Sequence, residues 1–270
     1  MKSMLLTGFI FVVLSARSQI HYQLGSQSYG MANTGLCATN VWSTFNNPGA
    51  LGLVQKTSLG LSAENRFLIK ELSSQALGFV MHTKKTGNFG FHFQQYGFEL
   101  YREMNGAFSY GMKLSEQFAA GISMQYHGIF LADNYGSKTS FSAALGMVYS
   151  PTKNLSLGVR VLNVNRARLA EFDNERLPTV FGLGFEYRPT KKVTCVVEAE
   201  KDMINPLNVK AALAIQAHEI FSVRMGMNTY PFISSFGFGI QMKKFMLDGA
   251  AQWHTKLGLC PAFSLVYSFE

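Results

Sequence analysis

The residues best placed to do chemistry in this 270-residue chain are charged side chains set among apolar ones. Six of them stand between apolar or small neighbours: Arg160, Glu186, Glu198, Lys210, Arg224 and Asp248. Successive side chains of a β-strand point to opposite faces. Each charged side chain therefore lies on the face opposite to that of its two immediate neighbours. On a lipid face, Arg or Lys costs about 2–4 kcal/mol at the bilayer midplane. We therefore predict that these six line a barrel interior. There they form an ion network that satisfies buried charge or, alternatively, a selectivity or ligand-binding lining.

Catalytic and metal chemistry has little support in the sequence. Ser109 and Ser123 lack the Gly-x-Ser-x-Gly context of a nucleophile elbow. The 6 histidines show no metal-ligand spacing, and the 3 cysteines are scattered. The prediction is a non-enzymatic protein with no cofactor and no metal.

Composition favours a membrane barrel. Hydrophobic residues make up 47% of the chain, aromatic residues 13% and charged residues only 15%, with 25 glycines. The interior of the sequence has no apolar run long enough for a membrane-spanning helix. The net charge is +8, but no basic cluster is interleaved with aromatics, so we expect no nucleic-acid partner. The lysines stand mostly in turns, where they are solvated or attract anionic lipid headgroups.

The first 18 residues have the pattern of a secretory signal peptide. Lys2 precedes an apolar run from Met4 to Leu14, and Ala16-Arg17-Ser18 follows it. We expect cleavage near Ser18 and export to the outer membrane of a Gram-negative bacterium.

Residues 57–270 alternate apolar and polar positions over fourteen segments, which predicts an all-β, 14-stranded antiparallel transmembrane β-barrel. The last segment, Pro261 to Phe269, places Phe263, Leu265 and Tyr267 on one face. Every second connection is short, as expected of periplasmic turns that alternate with longer outer loops. The alternative is a soluble β-sandwich, whose inner faces also alternate.

Residues 19–56 alternate too little to form a barrel strand. They are rich in small and polar residues and contain the turn signal Asn46-Asn47-Pro48-Gly49. We predict a plug segment within the lumen, in which Asn46, Asn47, Pro48 and Gly49 are either packed filler or a gate. Gly237 and Gly239 indicate close packing or strand curvature, or else a lateral opening.

Two stretches carry a family resemblance. Gly30-Met31-Ala32-Asn33-Thr34-Gly35 and the later Trp42 to Leu51 run resemble the N-terminal plug of the FadL/PorV superfamily of outer-membrane barrels. Pro48-Gly49-Ala50-Leu51 departs mildly from the usual Pro-Ala-Gly-Leu order. The C-terminal third, including Arg224-Met225-Gly226 and Leu247-Asp248-Gly249-Ala250, resembles the PorV/PorQ branch.

The resemblance implies one of two functions. PorV/PorQ-like members are accessories of type IX protein secretion or surface attachment, so secretion-system or surface proteins would be partners. FadL-like members pass small hydrophobic compounds across the outer membrane, so the partner would be a small hydrophobic ligand. Outer-membrane lipid is a partner in both cases. The charged stretch from Arg166 to Leu177 places the accessory function first and transport second. Transport predicts an apolar cavity that continues from the outer loops into the lumen.

Overall fold

The computed structural model describes residues 24–132, 136–168 and 176–269. The predicted signal peptide lies outside the described residues, as do residues 19–23 of the predicted plug. None of the helices among the described residues is long and apolar enough to cross a membrane.

The fourteen strands of the described chain form one closed sheet. Their bounds are β1 Ser58–Asn65, β2 Ser73–Met81, β3 Asn88–Gly97, β4 Tyr101–Lys113, β5 Phe118–Leu131, β6 Ser137–Thr152, β7 Leu155–Leu162, β8 Val180–Thr190, β9 Val193–Asp202, β10 Asn208–His218, β11 Phe221–Thr229, β12 Phe232–Gln241, β13 Phe245–His254 and β14 Gly258–Ser268. Each strand pairs with its neighbours in the chain, and β1 pairs antiparallel with β14 to close the barrel. The predicted 14-stranded antiparallel barrel is confirmed.

The two faces of the wall differ as the alternation predicts. On β8, Phe181, Leu183 and Phe185 are exposed on the outside, while Gly182 and Glu186 are buried on the inside. On β14, Phe263 and Leu265 are exposed and Ser264 is buried. An apolar outer face around a polar interior is the arrangement of a barrel that meets lipid.

The two ends of the barrel differ in their connections. The end at which β1 begins and β14 ends has five connections of two to four residues and one, residues 82–87, of six. We call it the short-turn end, and the opposite one the long-loop end. The long-loop end is less uniform than predicted, because β12 begins at Phe232 and leaves only Tyr230 and Pro231 as a connection. The longest connection, residues 163–179, also lies there, and its residues 169–175 are outside the described ranges.

The N-terminal segment lies inside the barrel. It contains three helices of one turn each, α1 Ser26–Tyr29, α2 Ser43–Asn46 and α3 Pro48–Leu51, and a 3-10 helix, Lys70–Leu72, follows β1. We call residues 24–56 the plug. Trp42, with no exposed surface, packs with Val41, Phe45 and Leu51 against the inner side of β1 and β2. The main apolar core therefore joins plug to wall.

Candidate functional site: the plugged lumen

The turn at Asn47-Pro48-Gly49 rests on a seat of glycines in the wall. Gly111, Gly121 and Gly146 face it from the neighbouring strands β4, β5 and β6. A Cβ atom on Gly121 would lie 2.1 Å from the Pro48 carbonyl oxygen, and one on Gly146 would lie 1.9 Å from Asn47 Oδ1. Any side chain at these positions would displace the turn, so we call Gly111, Gly121 and Gly146 the glycine seat.

Asn46 and Asn47 are fully buried and bind main-chain groups. Asn47 Oδ1 caps α3 by accepting from Gly49 N at 2.9 Å, and its Nδ2 donates to Leu36 O at 2.6 Å and to Met147 O at 3.2 Å. Asn46 Oδ1 accepts from Leu24 N at 2.8 Å. These contacts fix three parts of the plug to one another and to β6.

Charged wall residues also bind the plug main chain. Glu198 Oε1 on β9 accepts from both Gly35 N and Leu36 N at 2.7 Å. Arg160 Nη1 on β7 donates to Asn46 O at 2.7 Å. Lys210 Nζ on β10 donates to Asn33 O at 3.0 Å. Three buried charged side chains therefore bind three different points of the plug main chain.

Glu200 connects two of these cations. Its Oε1 lies 2.9 Å from Arg160 Nη2 and its Oε2 lies 2.5 Å from Lys210 Nζ. We call Arg160, Glu198, Glu200 and Lys210 the plug latch. It contains two positive and two negative side chains, so its buried charge is balanced. Hydrogen bonds to charged groups contribute about 1.5–3 kcal/mol each, more than neutral ones.

The other predicted lumen charges form separate pairs. Arg224 Nη1 on β11 lies 2.6 Å from Asp248 Oδ1 on β13. The guanidinium passes over Gly239 of β12, where a Cβ would lie 2.6 Å from both charged groups. Glu186 pairs with Arg188 on the same strand. Gly237 contacts Gly30 of the plug, and β12 pairs without a break with both neighbours, so this stretch has no lateral opening.

The six charges thus belong to three groups, whereas a single network was expected. Glu200 and Arg188, which complete two of the groups, were missing from the predicted set. Alternation carried the signal for Glu200, which follows Glu198 by two residues and must share its face.

Residues that were weighed for catalysis have structural partners. Ser109 Oγ donates to Thr44 O and is hydrogen-bonded to Ser123 Oγ, both at 2.9 Å, and so ties β4 to the plug and to β5. Among the described residues, no group of three or more His, Cys, Asp or Glu side chains could hold a metal ion.

Among the described residues, the plug fills the lumen. Two small cavities there measure about 10 and 20 Å³. The smaller lies between Tyr29, Glu64 and Ala262, and the larger between Phe45, His127 and Leu177. Since one water molecule needs about 10–15 Å³, neither of the two admits an organic compound. Within the part of the chain that the structure describes, these cavities do not form the continuous apolar cavity that transport predicts.

Three solved structures show what this fold is similar to. A Pseudomonas aeruginosa FadL homologue aligns over 92% of this chain and 99% of its own, at 13% identity and a TM-score of 0.65. The CymD monoaromatic hydrocarbon channel aligns over 91% and 97%, at 12% identity and 0.69. The Pseudomonas putida toluene transporter TodX aligns over 92% and 99%, at 11% identity and 0.66. These likenesses establish a shared fold.

Sequence comparisons add no closer relationship. No known family profile matches the chain. A search of curated proteins also finds no match. The FadL side of the resemblance is supported at the level of fold, and the PorV/PorQ branch receives no support.

Proposed function

We propose that this protein is a non-enzymatic outer-membrane channel for small hydrophobic compounds, and that the structure is its closed state. One observation carries the proposal: the lumen is filled by a segment of the chain itself, held by reversible contacts. Hydrogen bonds, ion pairs and apolar packing attach the plug, while the cysteines of the described residues, Cys37, Cys195 and Cys260, are free. Such a segment can move without breaking a covalent bond.

The outer surface and the fold support the membrane location. Exposed Phe, Leu and Met side chains cover the outer wall, and closed antiparallel barrels with such a surface span outer membranes. The solved barrels of the same fold include two described as hydrocarbon channels or transporters. An outer membrane excludes hydrophobic compounds by its polar surface, so a channel for them has a clear use there.

In this proposal Asn46, Asn47, Pro48 and Gly49 act as the gate. Opening requires the turn to leave the glycine seat and the latch to release the main chain at Asn33, Gly35, Leu36 and Asn46. The lumen charges Arg160, Glu198 and Lys210 serve the gate, whereas the Arg224–Asp248 and Glu186–Arg188 pairs hold the wall.

The sequence favoured an accessory function in type IX secretion over transport. We now rank it second, after the channel function. Neither the geometry nor the comparisons support secretion-system or surface proteins as partners.

The proposal is tested by uptake into intact Gram-negative cells that lack their own FadL-type channels. Cells with and without this barrel are given radiolabelled toluene, oleate or glucose, and nitrocefin hydrolysis checks that the outer membrane stays intact. Expression of the barrel is expected to raise toluene or oleate uptake and leave glucose uptake unchanged. Equal uptake of both hydrophobic probes with and without the barrel would contradict the proposal.

A further inference from the structure

Among the described residues, the excess of basic over acidic side chains is larger at one end of the barrel than at the other. In the lumen, Arg160, Lys210 and Arg224 balance Glu198, Glu200 and Asp248. Glu186 pairs with Arg188 and is counted with the short-turn end.

Within the described ranges, the strand ends and connections of the long-loop end carry nine Lys or Arg and five Asp or Glu residues. Those of the short-turn end carry ten basic residues and three acidic ones, Glu116, Glu186 and Glu219. The larger basic excess at the short-turn end indicates a surface that meets something anionic.

The ten basic residues, which we call the basic ring, fall in three sectors of the circumference. One sector comprises Lys153, Lys191 and Lys192 on the adjacent turns β6–β7 and β8–β9, together with Arg188 near the end of β8, whose N–H donates to Asn154 O at 2.8 Å. The other two sectors comprise the following residues: Lys84, Lys85 and Lys113; Lys56, Lys243 and Lys244. All ten are exposed except the half-buried Lys244.

Acidic side chains neutralise only part of this ring. Glu116 pairs with Lys113 at 2.9 Å, and Glu186 pairs with Arg188. In the four-residue sector, the other three residues are Lys153, Lys191 and Lys192. None of them belongs to an ion pair found in the described residues.

Apolar side chains of the outer wall lie directly beside the ring. Tyr187 precedes Arg188, Leu114 follows Lys113, and Phe245 follows Lys244; all three are exposed. Lysines on turns just beyond an apolar and aromatic girdle are within reach of lipid phosphates.

We propose that the basic ring binds the headgroups of anionic phospholipids in the membrane leaflet at the short-turn end. The ring extends around most of the circumference, because every turn at this end except β10–β11 carries or adjoins a basic residue. This distribution favours lipid over an acidic protein, because lipid surrounds a barrel whereas one protein would contact one sector. The inference rests on the membrane location in the proposed function and is independent of transport. The uptake experiment therefore neither supports nor contradicts it.

The test measures lipid retained by the purified barrel. Native mass spectrometry counts the phosphatidylglycerol and phosphatidylcholine molecules that remain bound when the full barrel is released from micelles containing both lipids in equal amounts. The variant K153Q/K191Q/K192Q removes three charges from one sector. The matched control K70Q/K138Q/K256Q removes three exposed lysines from the long-loop end.

A basic side chain near an anionic surface contributes about 1 kcal/mol, or about fivefold in a binding ratio. The wild-type barrel is expected to retain phosphatidylglycerol preferentially. The ring variant should lower the ratio of phosphatidylglycerol to phosphatidylcholine by about fivefold or more, and the control by less than twofold. Higher salt should weaken the preference.

Two results would overturn the inference. One is equal retention of both lipids by the wild-type barrel. This result would also be expected if the ring bound an acidic periplasmic protein and not lipid. The other is an equal loss in both variants, which would assign the preference to net charge and remove the ring's role.

Discussion

At the scale of single residues, the lumen binds its plug through main-chain groups. Glu198, Arg160 and Lys210 contact N–H or carbonyl groups of residues 33–46, and Asn47 contacts Leu36 O. Contacts to the main chain hold the plug whatever side chains it carries. Opening would break these charge-assisted bonds, which contribute about 1.5–3 kcal/mol each.

Removing the Glu198 carboxylate is expected to loosen the plug. Cys37 is buried 3.7 Å from Ser156 O, and burial raises the pKa of its thiol, so in the closed barrel it stays protonated and unreactive. In a background with C195A and C260A, E198A should speed maleimide labelling of Cys37 at pH 8 at least tenfold, since two bonds of about 1.5–3 kcal/mol each are lost. E198Q keeps an acceptor and should change the rate much less. Equal rates in wild type and E198A would refute the latch.

The Arg224–Asp248 pair offers a second residue-scale prediction. Both side chains are buried, so R224M leaves Asp248 as a charge without its cation and should destabilise the barrel by about 3–5 kcal/mol. The double variant R224M/D248L should recover most of that loss. Unfolding in urea, followed by the heat-modifiable gel shift, measures all three proteins. A double variant as unstable as R224M would show that the pair itself is needed.

The sequence alone predicts which face of the strand a charged lumen residue occupies better than it predicts which group that residue binds. Alternation places Lys210 and Glu198 on the inner face, and they are aligned in register between β10 and β9. Lys210 nevertheless forms its ion pair with Glu200 and donates to Asn33 O of the plug, while Glu198 Oε1 accepts from two main-chain N–H groups of the plug. The path of the plug through the lumen sets this outcome, and that path depends on contacts distant in sequence.

At the scale of elements, the strands and their turns follow from local pattern. All fourteen predicted strands begin or end within two residues of the observed bounds at one end or both. The start of β14, predicted at residue 261 and observed at Gly258, differs by three residues, and its end differs by one. The glycine seat was not predicted. Glycines are frequent on this barrel's inner face, and only the position of Pro48 distinguishes Gly121 from the others.

Filling the seat should displace the gate. A Cβ on Gly121 meets the main chain of Pro48, which cannot rotate aside as a side chain would. G121A is therefore expected to increase Cys37 labelling several-fold while leaving the barrel folded. Gly106 on β4 is the matched control, because the nearest atom to its added Cβ is 3.6 Å away, an ordinary contact. G106A with as much labelling as G121A would contradict the role of the seat.

At the scale of the whole molecule, the account joins a closed wall, a plug held by reversible contacts and an outer surface suited to lipid. The sequence predicted the fold and the presence of a lumen segment. It could not predict closure, because whether a plug leaves a path depends on how its side chains fill the space between strands. Because the described lumen contains cavities of only about 10 and 20 Å³, the proposed channel function requires movement of the plug.

The most direct test of this claim compares plug opening with uptake in the same proteins. Wild type, E198A, G121A and G106A are expressed in cells without FadL-type channels, and Cys37 labelling and toluene uptake are measured for each, with nitrocefin hydrolysis as the barrier control. We predict that uptake rises with labelling, lowest in wild type and G106A and highest in E198A and G121A. Labelling that rises in E198A and G121A while toluene uptake stays at the level of cells without the barrel would contradict a channel gated by its plug.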